Sequence, residues 1–296
     1  MASVNASLSA VRQLWSSHPR QWEDFAYVYP VISRRSRGLS IGINLNPDRR
    51  CSFNCVYCSV DHLTAPVTTR IHLARLQTEL LTMLELVRSG QLWQHVLFTR
   101  TPQPLRRLND IAFSGDGEPT LYAKLDHVVR ITLDCLSQFP ALKKTKLILI
   151  TNATGLHLSS TLRALELMDQ HPGEIWAKLD AGTDEYYRDI NRSRFPYQRI
   201  LKHILLTGRQ RPLIIQSLFL RFQGRRFPMG EFDAYIGRLR QLLEGGCRIK
   251  AVHLYTIARP PKEKTALPLS NLQLDRLADR LRKQIPQLPV EVFYKS

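Results

Sequence analysis

Short apolar runs alternate with amphipathic stretches along most of the chain. Residues 39–45, 111–113, 146–150, 175–179, 213–219 and 249–257 read as buried strands, too short and too continuous for surface helices. The segments between them carry apolar residues at helical spacing. Leu73, Leu76, Leu80, Leu84 and Val87 line one face of a helix over 71–87. Leu125, Val128, Val129, Thr132, Cys135, Leu136 and Phe139 line a second. Further helices are predicted near 160–169, on both sides of the 191–196 loop, over 231–243 where Gly245 and Gly246 stop it, and over 272–283. A short strand over 290–293 follows. Six strand–helix units predict an α/β fold with a parallel sheet, a partial (β/α)6 TIM-like barrel over 38–296. Val4, Leu8, Val11 and Trp15 predict an N-terminal helical extension within 1–37. Arrays of this kind place their chemistry at the C-terminal ends of the strands, so unusual polar residues should fall there.

Composition narrows the classes. The chain has 296 residues, 44% hydrophobic and 23% charged, an ordinary globular mix. No apolar run reaches the roughly 20 residues of a membrane helix. The N-terminus has no secretory apolar core; its Ser and Arg content faintly suggests an organelle signal, but the helical spacing explains it better and a cytoplasmic location is expected. The net charge of +17 favours an anionic partner, RNA such as tRNA or another anionic substrate, over a generally basic solvated surface. The charge is scattered in small groups: Arg34, Arg35 and Arg37; Lys143, Lys144 and Lys146; Arg192 and Arg194; Arg225 and Arg226.

Five cysteines are an odd count, and three crowd into Cys51, Cys55 and Cys58. A disulfide framework would be even and dispersed. This C-x3-C-x2-C loop follows the first predicted strand, and soft thiolates suit an iron–sulfur cluster. With His62 the same loop could instead be written as a Cys3His zinc site. Cys135 and Cys247 read as core. After the second strand comes Ser114-Gly115-Asp116-Gly117-Glu118-Pro-Thr, where glycines permit close backbone approach and carbonyls with a carboxylate suit an ammonium group, although the same residues make ordinary turns. Thr151 and Asn152 end the third strand, Lys178 and Asp180 the fourth, and Tyr255 and Arg259 the sixth, while Gln216 interrupts the fifth. Each could be a ligand group or a structural polar residue, and Lys178 with Asp180 could be only a charge pair.

C-x3-C-x2-C with Tyr57 before the last cysteine resembles the signature of the radical S-adenosylmethionine (SAM) superfamily, and the likeness extends over roughly 39–255. The resemblance implies the partial barrel of that family and a [4Fe–4S] cluster on Cys51, Cys55 and Cys58 whose open iron chelates SAM. It implies SAM contacts from Tyr57, from Ser114, Gly115, Asp116, Gly117 and Glu118 as the ammonium-binding segment, and from Asn152, Lys178, Asp180 and Gln216. It also implies a reducing electron donor such as flavodoxin or ferredoxin and a 5′-deoxyadenosyl radical. The 41–47 segment, the Gly-Glu-Pro-Thr loop and the segments 178–182 and 189–192 are similar to one branch, uncharacterised iron–sulfur oxidoreductases grouped with tRNA wyosine-synthesis enzymes. Those enzymes carry further cysteines for a second cluster, which this chain lacks, so wyosine chemistry itself is not expected. Two alternatives stand beside this reading: a zinc-bound nucleic-acid-binding module, and a member that binds SAM without cleaving it.

Overall fold

Strand position in this chain follows from what each face must bury. A computed structural model describes residues 22–60, 65–66 and 68–295. It contains strands β1 (Val28–Ser33), β2 (Gly38–Ile43), β3 (Leu108–Phe113), β4 (Lys146–Thr151), β5 (Gly173–Lys178), β6 (Leu213–Leu218), β7 (Leu220–Phe222), β8 (Ile249–Tyr255), β9 (Ala266–Pro268) and β10 (Val290–Phe293). The helices are α1 (Leu73–Ser89), α2 (Leu125–Ser137), α3 (Ser159–Asp169), α4 (Asp184–Asn191), α5 (Tyr197–Gln210), α6 (Met229–Glu244) and α7 (Asn271–Gln284). The main sheet runs β1-β2-β3-β4-β5-β6-β8-β10. It is parallel from β2 to β10, with β1 antiparallel at one edge. The sheet curls into the expected half-barrel.

Alternation decides which residues face outward. Ile41, Phe113, Leu149, Ala177, Ile215 and Leu254 point to the helices and share one large core with Leu80 and Met83 of α1, Val129 of α2 and Leu239 of α6. Ala112, Ile148, Trp176, Ile214 and Ala251 point the other way and form a small cluster inside the half-barrel. Both faces are buried, which is why these strands read as continuous apolar runs rather than as alternating ones.

The described part of the expected N-terminal helical extension is not helical. Residues 1–21, with Val4, Leu8, Val11 and Trp15, lie outside the described residues; within 22–37 the chain forms β1 and the turn to β2. Pro30 sits in β1, where it is tolerated because the strand is at the sheet edge. Gly42 of β2 is required by β1, since a Cβ there would meet the Tyr29 ring at 2.2 Å. Tyr29 thereby reaches across to donate from its hydroxyl to the Ser114 carbonyl at 3.1 Å. Between the edges β1 and β10 the half-barrel has an open seam. Arg34, in the β1–β2 turn, spans it by donating to the Tyr294 carbonyl just after β10. A two-stranded flap, β7 with β9, stands beside the mouth. Among the described residues no helix is long and apolar enough to cross a membrane.

Candidate functional site

The cysteine loop follows β2 and is seated by its neighbours rather than by regular structure of its own. Val56, fully buried, inserts into a second small core with Ile190 of α4, Leu218, Leu220, Ile257 and Ala266. Backbone bonds fix the loop on three sides: Asn54 N–H to the Asn191 carbonyl at 3.0 Å, Val56 N–H to the Ile190 carbonyl at 2.9 Å, and Lys262 N–H to the Cys58 carbonyl at 2.6 Å. The cysteines thus present their side chains at the C-terminal mouth of the half-barrel, where the sequence places them.

One cavity of about 820 Å³ fills the lumen beneath that mouth. Cys51, Cys55, Tyr57 and Cys58 line it, together with Ser114, Gly115, Asp116, Gly117, Glu118, Asn152, Lys178 and Gln216. Tyr255 and Arg259 line it as well. Asp180, 3% exposed, stands behind the wall.

Close packing explains the glycine loop. A Cβ on Gly117 would meet the Arg50 carbonyl oxygen at 2.1 Å, and one on Gly115 would meet the Asn44 side chain at 2.3 Å. The second loop is therefore pressed against the segment that leads into the cysteines, which only glycine permits. Asn44 holds the two together: its Nδ2 donates to Asp116 at 2.8 Å, and its Oδ1 accepts the N–H groups of Asn46 and Asp116 at 3.1 Å each.

Glu118 is placed differently from the expectation of an open acceptor. It is 2% exposed, and four donors occupy its oxygens. Oε1 accepts from Thr120 N–H at 3.2 Å, Thr120 Oγ1 at 2.5 Å and Thr151 Oγ1 at 2.6 Å, and Oε2 accepts from Asn152 N–H at 2.6 Å. Burial raises its pKa even against those donors. Glu118 ties the loop after β3 to the end of β4 and so positions Asn152. Asn152 Nδ2 in turn donates to Ser52 Oγ at 3.0 Å and points at Cys51 Sγ at 3.7 Å.

A second buried carboxylate, Asp180, organises the other side. Oδ2 accepts from the Tyr57 hydroxyl and from Asn191 Nδ2 at 2.9 Å, and Oδ1 accepts from Leu218 N–H at 2.9 Å and Lys178 Nζ at 3.3 Å. Lys178 also donates to the Tyr255 hydroxyl at 2.9 Å. Burial works against the Lys178 charge, but Asp180 and Tyr255 outweigh it and hold its pKa above the usual lysine value. Burial, reinforced by Asp180, keeps the Tyr57 phenol protonated.

Asn191, 1% exposed on the inner face of α4, is the functional-site residue that the pattern of elements does not single out. Its Nδ2 points at Cys55 Sγ at 3.5 Å and at the Tyr57 hydroxyl at 3.2 Å. The signal was its amide on an otherwise apolar helix face, legible only once a partner is known.

The thiols fit a cationic cluster better than free thiolate chemistry. Burial pushes Cys51 up to about 12 and Cys55 to about 11, the former against the Phe53 N–H that donates to its sulfur. Without a cation they stay protonated; a bound metal supplies the charge that deprotonates them. Asn152, Asn191 and the Phe53 amide are then ready donors to coordinated sulfur. Among the described residues no group of Cys, His, Asp and Glu converges on a single-ion site. His62, on which the zinc alternative depends, lies outside the described residues.

The arginines of the 188–194 segment are not three free cations. Arg188 pairs with Asp184, and Arg192 pairs with Glu263. Arg194 is exposed and lies with Arg192 along a shallow second cavity beside Cys51.

No family model matches the chain. It is 27% identical over 163 residues to a GTPase Obg of Brachyspira hyodysenteriae, covering 55% of this chain and 20% of that protein. It is 28% identical over 190 residues to UPF0026 protein slr1464 of Synechocystis, covering 63% of this chain and 59% of that protein. The chain therefore spans well under two thirds of either relative's length. Among solved structures it resembles TYW1 with a lysine–pyruvate adduct bound, with a TM-score of 0.52 at 19% identity over 92% of this chain and 80% of that one. It also resembles Streptococcus suis SuiB bound to S-adenosylmethionine, with a TM-score of 0.53 at 14% identity over 89% of this chain and 49% of that one. At these identities the likeness is one of fold, a partial barrel of parallel strands and helices.

Proposed function

We propose that the chain is a radical SAM enzyme that holds one [4Fe–4S] cluster on Cys51, Cys55 and Cys58 and binds SAM in the lumen below it. The observation that carries this reading is the contact of the two loops: the glycine loop after β3 is packed onto the backbone leading into a C-x3-C-x2-C loop, at the mouth of one cavity. The chemistry such a cluster supplies, with an electron from a donor such as flavodoxin or ferredoxin, is reductive cleavage of the sulfonium to a 5′-deoxyadenosyl radical.

The chain's own residues bind and orient. Asn152 and Asn191 direct amide N–H groups at Cys51 and Cys55. The carbonyls of 114–117 with Asp116 offer acceptors for the methionine ammonium, because Glu118 is already saturated. Lys178, held protonated, offers a charge-assisted donor to the SAM carboxylate. Gln216 offers an amide whose two ends have no partner at 1% exposure. Glu118 and Asp180 are positioning residues, and Tyr57 is fixed by Asp180. The substrate is an anionic molecule, for which RNA is the first macromolecular candidate given the charge of +17.

The test is metal analysis of anaerobically purified protein. About four irons per chain with equivalent labile sulfide are expected from cubane ligation, and Cys55→Ala should lose most of both. Stoichiometric zinc without labile sulfide would overturn the reading.

A further inference from the structure

Five side chains form an alternating line of rings and cations through the lumen. The Lys178 ammonium lies 5.1 Å from the Tyr57 ring and 5.4 Å from the Tyr255 ring. The Arg35 guanidinium lies 5.4 Å from the other neighbour of that line, the same Tyr255 ring, and 5.1 Å from the Trp176 ring. The line starts at the cysteine loop and ends on Trp176 of β5, which Arg35 reaches from the β1–β2 turn beside the seam, and the proposed cofactor site accounts only for its first half.

The seam end is chemically unfinished. Arg34 and Arg35 both line the cavity and are half-buried, yet among the described residues no carboxylate lies within ion-pair distance of either. In a chain with 42 basic residues most can sit in water; a guanidinium drawn partly out of water without a counter-ion is costly. Burial and then its neighbour Arg35 push the Arg34 pKa down to about 10. Close by, Asp110 Oδ2 has no partner although the residue is 2% exposed; its other oxygen accepts from Ser40 Oγ. Burial raises the Asp110 pKa against the Ser40 and Ser36 hydroxyls and the Arg35 charge, which pull it down.

We propose that Arg34 and Arg35 form the anion-binding end of the substrate pocket, receiving a carboxylate or phosphate group against the Trp176 face, with Asp110 facing a polar group of the same molecule. The guanidinium forks match the planar, bidentate geometry of such anions, and the stacked Arg35 is held in place before the ligand arrives. Only the word substrate rests on the radical SAM reading; the anion site itself does not.

Trp176 supplies a local probe. The full chain, anaerobically reconstituted, is titrated with inorganic phosphate and, separately, with malonate, each against sodium chloride of equal ionic strength, while tryptophan emission is followed. A saturable change that disappears in Trp176→Phe is expected, and the tighter of the two anions identifies the group. Arg35→Gln should weaken binding about tenfold, the effect of removing a charged hydrogen-bonding partner, while Arg37→Gln, exposed in the same turn, should not. If the arginine variants fail to fold, phosphate protection of Arg34 and Arg35 against phenylglyoxal, mapped by peptide mass with Arg37 as the unprotected control, gives the same answer in the unaltered chain. No saturable change with either anion, or unchanged affinity and no protection, would overturn the proposal. Iron analysis and SAM cleavage on the same preparation keep the two readings apart: an anion site without iron leaves this inference standing, and an active cluster without anion binding leaves only the other.

Discussion

The two ends of the lumen handle buried charge in opposite ways. At the cysteine end each buried carboxylate is saturated: Glu118 by four neutral donors, and Asp180 by Lys178, Tyr57, Asn191 and a backbone amide. At the seam end Arg34 and Arg35 lack carboxylates, and Asp110 Oδ2 and His253 Nδ1 lack partners. A satisfied network fixes side chains in one geometry; unsatisfied buried polar atoms are costly and so mark where something else is received. The carboxylates of the cysteine end hold its loops still and leave ligand contact to groups such as Gln216, whose amide has no partner, whereas at the seam end the charged groups themselves are left to take a ligand.

Breaking the saturated end should cost most. Glu118→Ala strands four buried donors, and a loss of about 3–5 kcal/mol in urea unfolding is expected, with Asn152 released from Cys51. A loss below about 1 kcal/mol would show that water replaces the carboxylate and that the network does not anchor the loops.

The seam end should show itself next, through pH. Burial and Arg35 depress His253 to about 4. The unfolded imidazole, near 6.5, binds a proton that the folded one refuses, so this contribution is complete above about pH 6.5 and is lost as pH falls toward 4. The loss between pH 7 and 4 is roughly 3 kcal/mol, and His253→Gln should flatten that part of the stability profile. An unchanged slope in the variant would place the acid sensitivity elsewhere.

The smallest effect sharpens the contrast. Asp110→Asn changes a carboxylate to an amide, as Glu118→Gln does, but at an end where one oxygen is unused. It should cost less than about 1 kcal/mol, whereas Glu118→Gln turns an amide NH2 or a single oxygen toward donors and should cost about 2 kcal/mol. Equal costs measured by urea midpoint would erase the distinction between the two ends.

Much of this was legible in the sequence because periodicity reports faces. The runs of β2 to β6 and β8 read as short apolar strands, and the cysteine and glycine loops fall after the strands where the barrel rule requires them. Local patterns failed where a partner decides. β1 is apolar but holds Pro30, which weakens a strand reading until the edge position is known. Glu118 reads as an acceptor for a ligand because its four donors come from Thr120, Thr151 and Asn152, and only the packing of β3 against β4 brings the last two within reach. Arg35 reads as one of several surface arginines, because nothing local reveals that the curl of the sheet carries the β1–β2 turn to Trp176 and Tyr255.

The seam strap has a consequence for how the molecule comes together. Arg34 and the Tyr294 carbonyl are 260 positions apart in the chain. Contacts so distant along the chain pay their loop-closure entropy late, after the intervening strands and helices have paired. Closing the side wall of the lumen therefore carries a large loop-closure cost, and that closure rests on a side-chain bond rather than on a strand ladder between β1 and β10.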